Sequence, residues 1–291
     1  MLSTVLVIIK NFFTTLQNLS NLLCEKMAKI TIIGAGNVAT HLAKRLYEKQ
    51  HDILQILNQN LERAKLLATQ VEAEAIDNTR LLNLNADFYI VAVSDDAIKI
   101  IAEQLATILP KGKVIAHTSG ATSSQVFKGF FENYGVFYPL QTFSKERQAN
   151  FEKLPFCIDG STDFTKNRLL ALAKTICPNV YLIDDKQRSV LHVAAVFANN
   201  FTNYLIAISE QIIAKENIPF DLLKPLINET VAKINDNTPE SMQTGPARRG
   251  DKATLEKHQQ YLNQYPGYQK IYELLSNHIQ ALYSNKKDNF K

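Results

Sequence analysis

The chain has 291 residues, of which 46% are hydrophobic and 21% charged, a composition typical of a globular protein with room for two domain cores. Its net charge is +4 and it contains no basic block, which argues against nucleic acid as a partner. The three cysteines, Cys24, Cys157 and Cys177, lack metal-ligand spacing, so we expect a reduced, cytoplasmic setting and no metal site.

Residues 1–26 differ in character from the rest of the chain. They join an apolar segment, Leu2–Ile9, to a remainder rich in Asn and Thr. They lack the basic region and cleavage site of a signal peptide, and too few apolar residues are unbroken to span a bilayer. Because Met27 directly precedes the first predicted strand, we expect an over-long start or a disordered leader, with a membrane-surface helix as the alternative. No membrane partner is expected elsewhere.

A glycine-rich turn follows the first predicted strand. Lys29–Ile33 is rich in β-branched residues, and the sequence continues Gly34-Ala-Gly-Asn-Val-Ala39 into a helix with an apolar face. This is the G-x-G-x-x-A fingerprint of dinucleotide-binding domains in its strand, turn and helix setting. The helix N-terminus attracts a pyrophosphate through its free N–H groups and its dipole. The residues expected to contact the cofactor here are Gly34, Ala35, Gly36, Asn37 and Val38.

Short apolar segments alternate with helical periodicity as far as Asp185. This pattern predicts an α/β domain of the Rossmann type, with a doubly wound, mostly parallel sheet, over residues 27–186. Helices then follow one another, which predicts an all-α domain over residues 187–291. Its first helix, Val190–Lys215, is apolar on nearly all sides, as is typical of a helix buried in a core or at a subunit interface. The further strands predicted are Ile53–Leu57, Ala75–Ile76, Phe88–Val93, Val114–His117, Val136–Tyr138, Phe156–Ile158 and Val180–Ile183.

The carboxyl end of the second predicted strand indicates the type of cofactor. Ligands of open α/β sheets bind at the carboxyl ends of the strands, and an acid at this position usually holds the ribose of NAD. Here the strand is followed by Asn58-Gln59-Asn60 and Arg63, without an acid. Asn58 and Arg63 therefore favour NADP, and NAD is the alternative. Asn58 and Asn60 can equally serve as caps of the next helix.

The ends of the fourth and fifth predicted strands are the places expected for the nicotinamide. His117 lies at the end of the fifth strand and can act as a proton donor or substrate anchor, because the pKa of imidazole lies near neutrality. A purely structural role is the alternative for His117, and helix capping is the alternative for Asp96. The other candidates at these two strand ends are Val93, Ser94, Asp95 and Ser119.

The predicted helical domain carries two further groups of polar residues. His192, Asn199 and Asn200 interrupt an otherwise apolar helix, where a buried polar group needs a partner. They either face a ligand or make contacts between helices. Arg248 and Arg249 lie in a turn bounded by Gly and Pro, where adjacent guanidinium groups can hold a carboxylate or phosphate. A solvated loop is the alternative for these arginines.

Five segments together resemble a known family. They match bacterial NADP oxidoreductases that join a Rossmann-like domain to a C-terminal helical domain of unknown function, over essentially the whole chain after Met27. Its wider relatives are pyrroline-5-carboxylate reductase, ketopantoate reductase and the 6-phosphogluconate and β-hydroxyacid dehydrogenases. The resemblance implies an N-terminal NADP site, a C-terminal domain like that of 6-phosphogluconate dehydrogenase that completes the active site, and a homodimer. The matching segments are Gly34–Ala39, His117–Gly120, Tyr138–Thr142, His192–Asn200 and Gly245–Asp251.

The sequence departs from the better-known relatives in two places. Their second strand often ends in Asn-Arg-Ser or Asn-Arg-Thr, whereas this one ends in Asn58-Gln59-Asn60. Their helical domain often carries a catalytic lysine four residues before an asparagine, whereas Ala195 and Val196 occupy the corresponding places here. The lysine mechanism therefore does not transfer, and His192 replaces the lysine or the chemistry differs.

The sequence thus predicts an NADP-dependent oxidoreductase that passes a hydride between the nicotinamide and a small anionic keto, imino or hydroxy acid. In this hypothesis His117 or His192 handles the proton, Asn200 orients the substrate, and Arg248 or Arg249 binds its acid group, with Ser119 beside them. The alternative is a non-catalytic NADP-binding sensor or scaffold that dimerises through its helical domain.

Overall fold

The computed structural model describes residues 27–144 and 146–287. The predictions for residues 1–26, including Cys24, lie outside the described residues. The chain forms two compact units, one ending at Asn199 and the other beginning at Asn200.

An eight-stranded sheet forms the centre of the first unit, and every predicted strand belongs to it. The strand order is β3-β2-β1-β4-β5-β6-β7-β8. All neighbours are parallel except β6 and β7, which pair antiparallel. The doubly wound, mostly parallel sheet predicted from the sequence is therefore confirmed. The strands are β1 (Lys29–Ile33), β2 (Asp52–Leu57), β3 (Glu74–Ile76), β4 (Phe88–Val91), β5 (Val114–His117), β6 (Asn133–Pro139), β7 (Phe156–Gly160) and β8 (Val180–Leu182).

The helices of the first unit connect these strands and cover both faces of the sheet. Strand β4 is fully buried along its length, as its unbroken apolar sequence predicts for a strand covered on both faces. Because side chains alternate along a strand, Ile30 and Ile32 join the core on one face and Ile33 joins the core on the other. The helices are α1 (Asn37–Glu48), α2 (Leu61–Ala68), α3 (Asp95–Ala106), α4 (Asp163–Ile176) and α5 (Asp185–Ala195).

The chain order across the sheet fixes where a ligand can bind. From β1 the chain builds outward to β2 and β3, then returns to the other side of β1 with β4 and continues outward through β5. The strand order thus reverses between β1 and β4. In open α/β sheets a crevice opens at the carboxyl ends of the strands on either side of such a reversal.

The second unit is helical, in agreement with the predicted fold class. A segment of π-helix, Val196–Phe201, follows α5 and spans the division between the two units. The helices of the second unit are α6 (Thr202–Ala214), α7 (Lys224–Asp236), α8 (Pro246–Arg249), α9 (Lys252–Leu262) and α10 (Pro266–Lys287).

The long apolar helix predicted near Val190–Lys215 is present but mostly exposed. Helix α5, the π-helical segment and α6 run on from one another as one long helix, Asp185–Ala214. Among the described helices, only this one is long and apolar enough to cross a membrane by length and composition, and only 6% of its most apolar window is buried. Val190, Val193 and Phe197 are among its exposed apolar side chains. Burial in the core of this chain is therefore not observed. Burial at a subunit interface, the other setting typical of such a helix, stays a prediction.

Candidate functional site

The turn after β1 is built from backbone groups and requires glycine at Gly34. Its φ is +116°, and a Cβ added there would lie 2.1 Å from the carbonyl oxygen of Ala92. The Gly34 N–H donates to the carbonyl of Leu57 at 2.7 Å, which ties the turn to the end of β2. Only a residue without a side chain fits between these neighbours.

Gly36, by contrast, borders open space. A Cβ added there would meet no atom of the described structure within 4 Å, and its φ of −82° suits any residue. Neither backbone strain nor packing within the chain therefore explains glycine at this position. Gly36 is the N-cap of α1, and no described side chain caps that helix end. Free N–H groups beside open space are the arrangement that binds a pyrophosphate.

A cleft of about 1100 Å³ lies over this turn and the neighbouring strand ends. Among the residues predicted to bind the cofactor, all except Arg63 line it. Arg63 lies in the first turn of α2, where its backbone N–H donates to the side chain of Asn60 at 3.1 Å. Asn60 is thus a helix cap, whereas Asn58 lines the cleft. The residues that were predicted and do line it are Gly34, Ala35, Gly36, Asn37, Val38, Asn58, Val93, Ser94 and Asp95.

The cleft also contains residues that the sequence analysis did not single out. Asp77, Asn78 and Arg80 line it beyond the end of β3. Strands β2 and β3 run in parallel with Leu57 beside Ile76, so the residues after each strand lie close together. A search of the residues after the weak third strand would have found this group, since all carboxyl ends of a parallel sheet meet at one edge.

A second part of the cleft is formed at the ends of β4 and β5. Ser94 and Asp95 come from the start of α3, and Ser119 and Gly120 from the turn after β5. Ser94, not Asp96, is the N-cap of α3, and Asp95 and Asp96 lie in its first turn. The Ser119 hydroxyl oxygen accepts hydrogen bonds from the backbone N–H groups of Ala121 and Thr122, at 3.1 and 2.9 Å, which fixes the turn.

His117 lies beneath this turn and not in the lining of the cleft. Its side chain is wholly buried and packs against Phe127. Nδ1 accepts a hydrogen bond from the Ser119 N–H at 3.2 Å, and Nε2 has no partner among the described residues. Burial, together with the nearby charge of Arg188, lowers the pKa of His117 to about 4, so the imidazole is neutral at physiological pH. This arrangement supports the turn; the predicted proton-donor role stays a prediction.

His192 does line the cleft, and it meets Tyr138 at Gly120. A Cβ added to Gly120 would lie 2.6 Å from His192 Nδ1 and 2.7 Å from the Tyr138 hydroxyl oxygen. His192 Nδ1 is buried and has no hydrogen-bond partner in the described structure. Burial raises the pKa of Tyr138 to about 12, so its hydroxyl stays protonated and can donate. Sequence reasoning gave Tyr138 no role, because its proximity to His192 arises only from the tertiary fold.

An ion pair at the start of α5 fixes the position of His192. The Asp185 carboxylate accepts hydrogen bonds from the Ser124 N–H at 3.0 Å, from the Ser123 hydroxyl and from the Arg188 guanidinium at 2.7 Å. Burial alone would raise the pKa of Asp185, but these bonds lower it to about 2. Arg188 is only 1% exposed and also donates to the carbonyl of Thr122 at 2.5 Å. Helix α5 is thereby bound to the loop after β5, and His192 follows one turn beyond Arg188.

The remaining predicted site residues belong to the second unit. Asn200 lies in the π-helical segment. Arg248 donates to the carbonyl of Gln243, and its guanidinium lies 5.1 Å from the centre of the Tyr283 ring. Arg249 ends the short helix α8 and is exposed, and Gly250 follows with a φ of +70°. Their predicted contacts with substrate stay predictions.

Comparison with known families gives two matches along the chain. A model described as NADP oxidoreductase, coenzyme F420-dependent, matches residues 29–119. A model described as a domain of unknown function, DUF2520, matches residues 154–279. The first covers the cleft-forming strands β1 to β5, and the second covers β7, β8 and the helices that follow.

Three relatives extend this comparison. A candidate NADP oxidoreductase of Bacteroides fragilis is 40% identical, with a TM-score of 0.84 over 88% of this chain and 99% of that chain. A pyrroline-5-carboxylate reductase of Coxiella burnetii shares the fold, at 16% identity and a TM-score of 0.56 over 89% of this chain and 94% of that one. A glycerol-3-phosphate dehydrogenase [NAD(P)+] of Macrococcus caseolyticus is 30% identical over an alignment of 118 residues, and the match covers 36% of this chain and 36% of that one. The match thus spans about a third of that curated relative. By its similarity over the full length of the Bacteroides protein, the chain belongs to the NAD(P)-dependent oxidoreductase family that joins an NADP oxidoreductase domain to a DUF2520 domain.

Proposed function

We propose that this chain is an NADP-dependent oxidoreductase that acts on a small anionic keto, imino or hydroxy acid. The observation that carries the proposal is the cleft of about 1100 Å³ over the glycine turn, with polar side chains at the ends of β4 and β5. The nicotinamide, when bound, supplies or accepts the hydride. The chain's own residues bind, orient and handle the proton.

The glycine turn suits the pyrophosphate of a dinucleotide. The open space at Gly36 and the uncapped N-terminus of α1, a helix of 12 residues, provide room and N–H donors for an anion. The residues after β2 and β3 then border the adenosine half of the ligand, and those after β4 and β5 border the nicotinamide half.

We assign the proton to His192. It lines the cleft, and its buried Nδ1 has no hydrogen-bond partner among the described residues. The Tyr138 hydroxyl is held at the same glycine and is the adjacent donor. His117 supports the turn that carries Ser119 and is a positioning residue. We assign the orientation of the substrate to Asn200, a polar residue of the otherwise apolar segment His192–Asn200. Arg248 or Arg249 of the Gly245–Asp251 segment is assigned to the acid group, since paired guanidinium groups suit a carboxylate.

We also propose that the protein is a cytoplasmic homodimer. The apolar side chains of Val190 and Val193 are exposed on a helix whose most apolar window is only 6% buried in the described structure, and a second copy would cover them. Cys157 and Cys177 are free, which suits a reducing compartment. Light scattering tests the dimer: the expected mass is twice the chain mass of 32.8 kDa, and a monomer would refute it.

The function is tested by titration with NADPH followed by a panel of keto, imino and hydroxy acids, with reduced-nicotinamide absorbance as the readout. We expect turnover with at least one acid. His192→Ala should lower kcat roughly 100-fold or more, the scale of lost acid–base catalysis, with NADPH affinity retained. Tyr138→Phe should lower kcat less. Tight NADPH binding without turnover on any acid would favour the non-catalytic sensor instead.

A further inference from the structure

Arg80 is the one permanently charged cationic side chain among the described residues that line the cleft. It follows β3, on the side of the sheet away from β4 and β5. Its guanidinium is exposed and makes no ion pair within the described ranges, 27–144 and 146–287. A free guanidinium in a binding cleft is a group to which an anionic part of the ligand can bind.

The end of β3, four residues before Arg80, is joined to the turn after β2. The Asn58 N–H donates to the carbonyl of Ile76 at 3.0 Å, which joins the two strand ends. The Asn78 side chain accepts a hydrogen bond from the Arg80 N–H at 2.9 Å and so fixes the 3₁₀ turn Thr79–Leu81. The backbone of Arg80 is therefore held in a defined turn. This turn lies at the edge of the sheet formed by the carboxyl ends of the strands, where the adenosine ribose of a dinucleotide is expected.

Two other residues, Arg63 and Asp77, are alternatives to Arg80 as the group that contacts the adenosine ribose. Arg63 is close in sequence to Asn58, but it does not line the cleft, and its backbone N–H is used in the cap of α2. Asp77 does line the cleft, and a carboxylate in this region can hold the free ribose 2′-hydroxyl of NAD. A ribose contact with Asp77 would therefore favour NAD, whereas a contact with Arg80 would favour NADP.

We infer that Arg80 binds the 2′-phosphate of NADP and selects it over NAD. This inference rests on the proposed function, since it assumes that a dinucleotide occupies the cleft. Guanidinium groups bind phosphate through paired, charge-assisted hydrogen bonds, and a doubly charged phosphate binds such a group more strongly than a hydroxyl does. Asn58 and Gln59, which line the same cleft, are neutral and do not oppose the charge of a phosphate.

The test is a calorimetric titration of the full chain with four probes: NADPH, NADH, 2′,5′-ADP and 5′-AMP. In the Arg80→Gln variant we expect the affinities for NADPH and 2′,5′-ADP to fall about tenfold or more, as for a lost charge-assisted hydrogen bond. The affinities for NADH and 5′-AMP should stay the same, which also shows that the variant is folded. The preference of the original chain for NADPH should weaken with salt, and that of the variant should not.

Two further variants sharpen the outcome. Lys65→Gln removes a lysine of α2 that is paired with Glu62 outside the cleft, and it is the control for loss of a surface charge. Arg63→Gln tests the arginine favoured by the sequence pattern. If Arg63→Gln, and not Arg80→Gln, weakens binding of 2′,5′-ADP, the inference is wrong although the proposed function stands. A chain that prefers NADH also overturns the inference, and a chain that binds none of the probes overturns both.

Discussion

The two ends of the cleft are built in different ways. Around Gly34 and Gly36 the binding surface is backbone: a left-handed glycine, free helix N–H groups and open space. Around Gly120 it is side chain, with His192 on one side and Tyr138 on the other. One short, contiguous segment forms the surface around Gly34 and Gly36. The surface around Gly120 is formed by residues that are distant in sequence, from the turn after β5, from β6 and from α5.

This difference separates the part of the cleft suited to any dinucleotide from the part suited to one particular substrate. A backbone surface recognises a pyrophosphate, which every dinucleotide carries. Side chains recognise one substrate, and they must be held in place by packing and hydrogen bonds. The Asp185–Arg188 ion pair supplies such bonds, because both residues bind α5 to the loop after β5. Substitutions at the two ends should therefore have separable effects.

The largest expected effect is loss of cofactor binding in Gly36→Val. The new side chain meets no described atom within 4 Å, so the fold should tolerate it, but it fills the space proposed for the pyrophosphate. We expect NADPH affinity to fall by roughly 100-fold or more, since the pyrophosphate loses its N–H contacts. Isothermal calorimetry measures the affinity, and thermal denaturation should show nearly unchanged stability.

The matched control is Gly112→Val. Gly112 is also an exposed glycine with no atom within 4 Å of an added Cβ, but it lies in the turn before β5 and not in the cleft. It should bind NADPH normally. Equal NADPH affinity in Gly36→Val and in the original chain would show that the pyrophosphate lies elsewhere.

The contrast between the two ends also explains what the sequence could predict. The eight strands and the glycine turn follow from local patterns, because apolar runs and Gly34–Ala39 encode their own conformations. His192 was found because a polar residue in an apolar helix is unusual. Tyr138 and Arg80 have no such signal in the sequence, because a tyrosine in a strand and an exposed arginine are common in any protein. Their positions at Gly120 and in the cleft arise only from the tertiary fold.

His117 shows the same limit of prediction from local sequence patterns. Its position at the end of β5 was predicted correctly, but whether its ring faces the cleft or the core depends on the register of β5. In the structure the ring is buried against Phe127 and accepts a hydrogen bond from Ser119. Arg188, a charged residue near the boundary between the two predicted domains, is also buried in the structure. Burial of this kind arises from long-range packing, so no pattern of neighbouring residues signals it.

The second prediction concerns the ion pair that positions α5. Asp185→Asn keeps the shape of the side chain but leaves the buried Arg188 guanidinium without its counter-charge. Breaking a buried pair costs on the order of 3 kcal/mol, and we expect a decrease of that size in the free energy of unfolding. Chemical denaturation measures it. Asp52→Asn, an exposed aspartate at the start of β2, is the control and should change stability little.

The same pair gives a pH dependence with a definite sign. The hydrogen bonds and the ion pair of Asp185 lower its pKa to about 2 in the folded protein, below the ordinary value of 3.8. Its contribution to stability is therefore complete above pH 3.8 and disappears as the pH falls toward 2. Across that window the original chain should lose more stability than Asp185→Asn. Parallel acid curves for the two proteins would show that Asp185 is not held by its partners.

The smallest expected effect comes from Gly120→Ala, which perturbs only the side-chain end. The added methyl group would lie within 2.7 Å of the Tyr138 hydroxyl and 2.6 Å of His192 Nδ1, so both side chains must move. Because a small displacement of an acid–base group costs much of its effect, we expect kcat to fall about tenfold. NADPH affinity should change less than about twofold, since the glycine turn after β1 is untouched. Steady-state kinetics with Gly112→Ala as the control separates the two parameters. An equal loss of NADPH affinity and kcat would mean that the two ends of the cleft act as one unit, and the division between a backbone-built and a side-chain-built end would then fail.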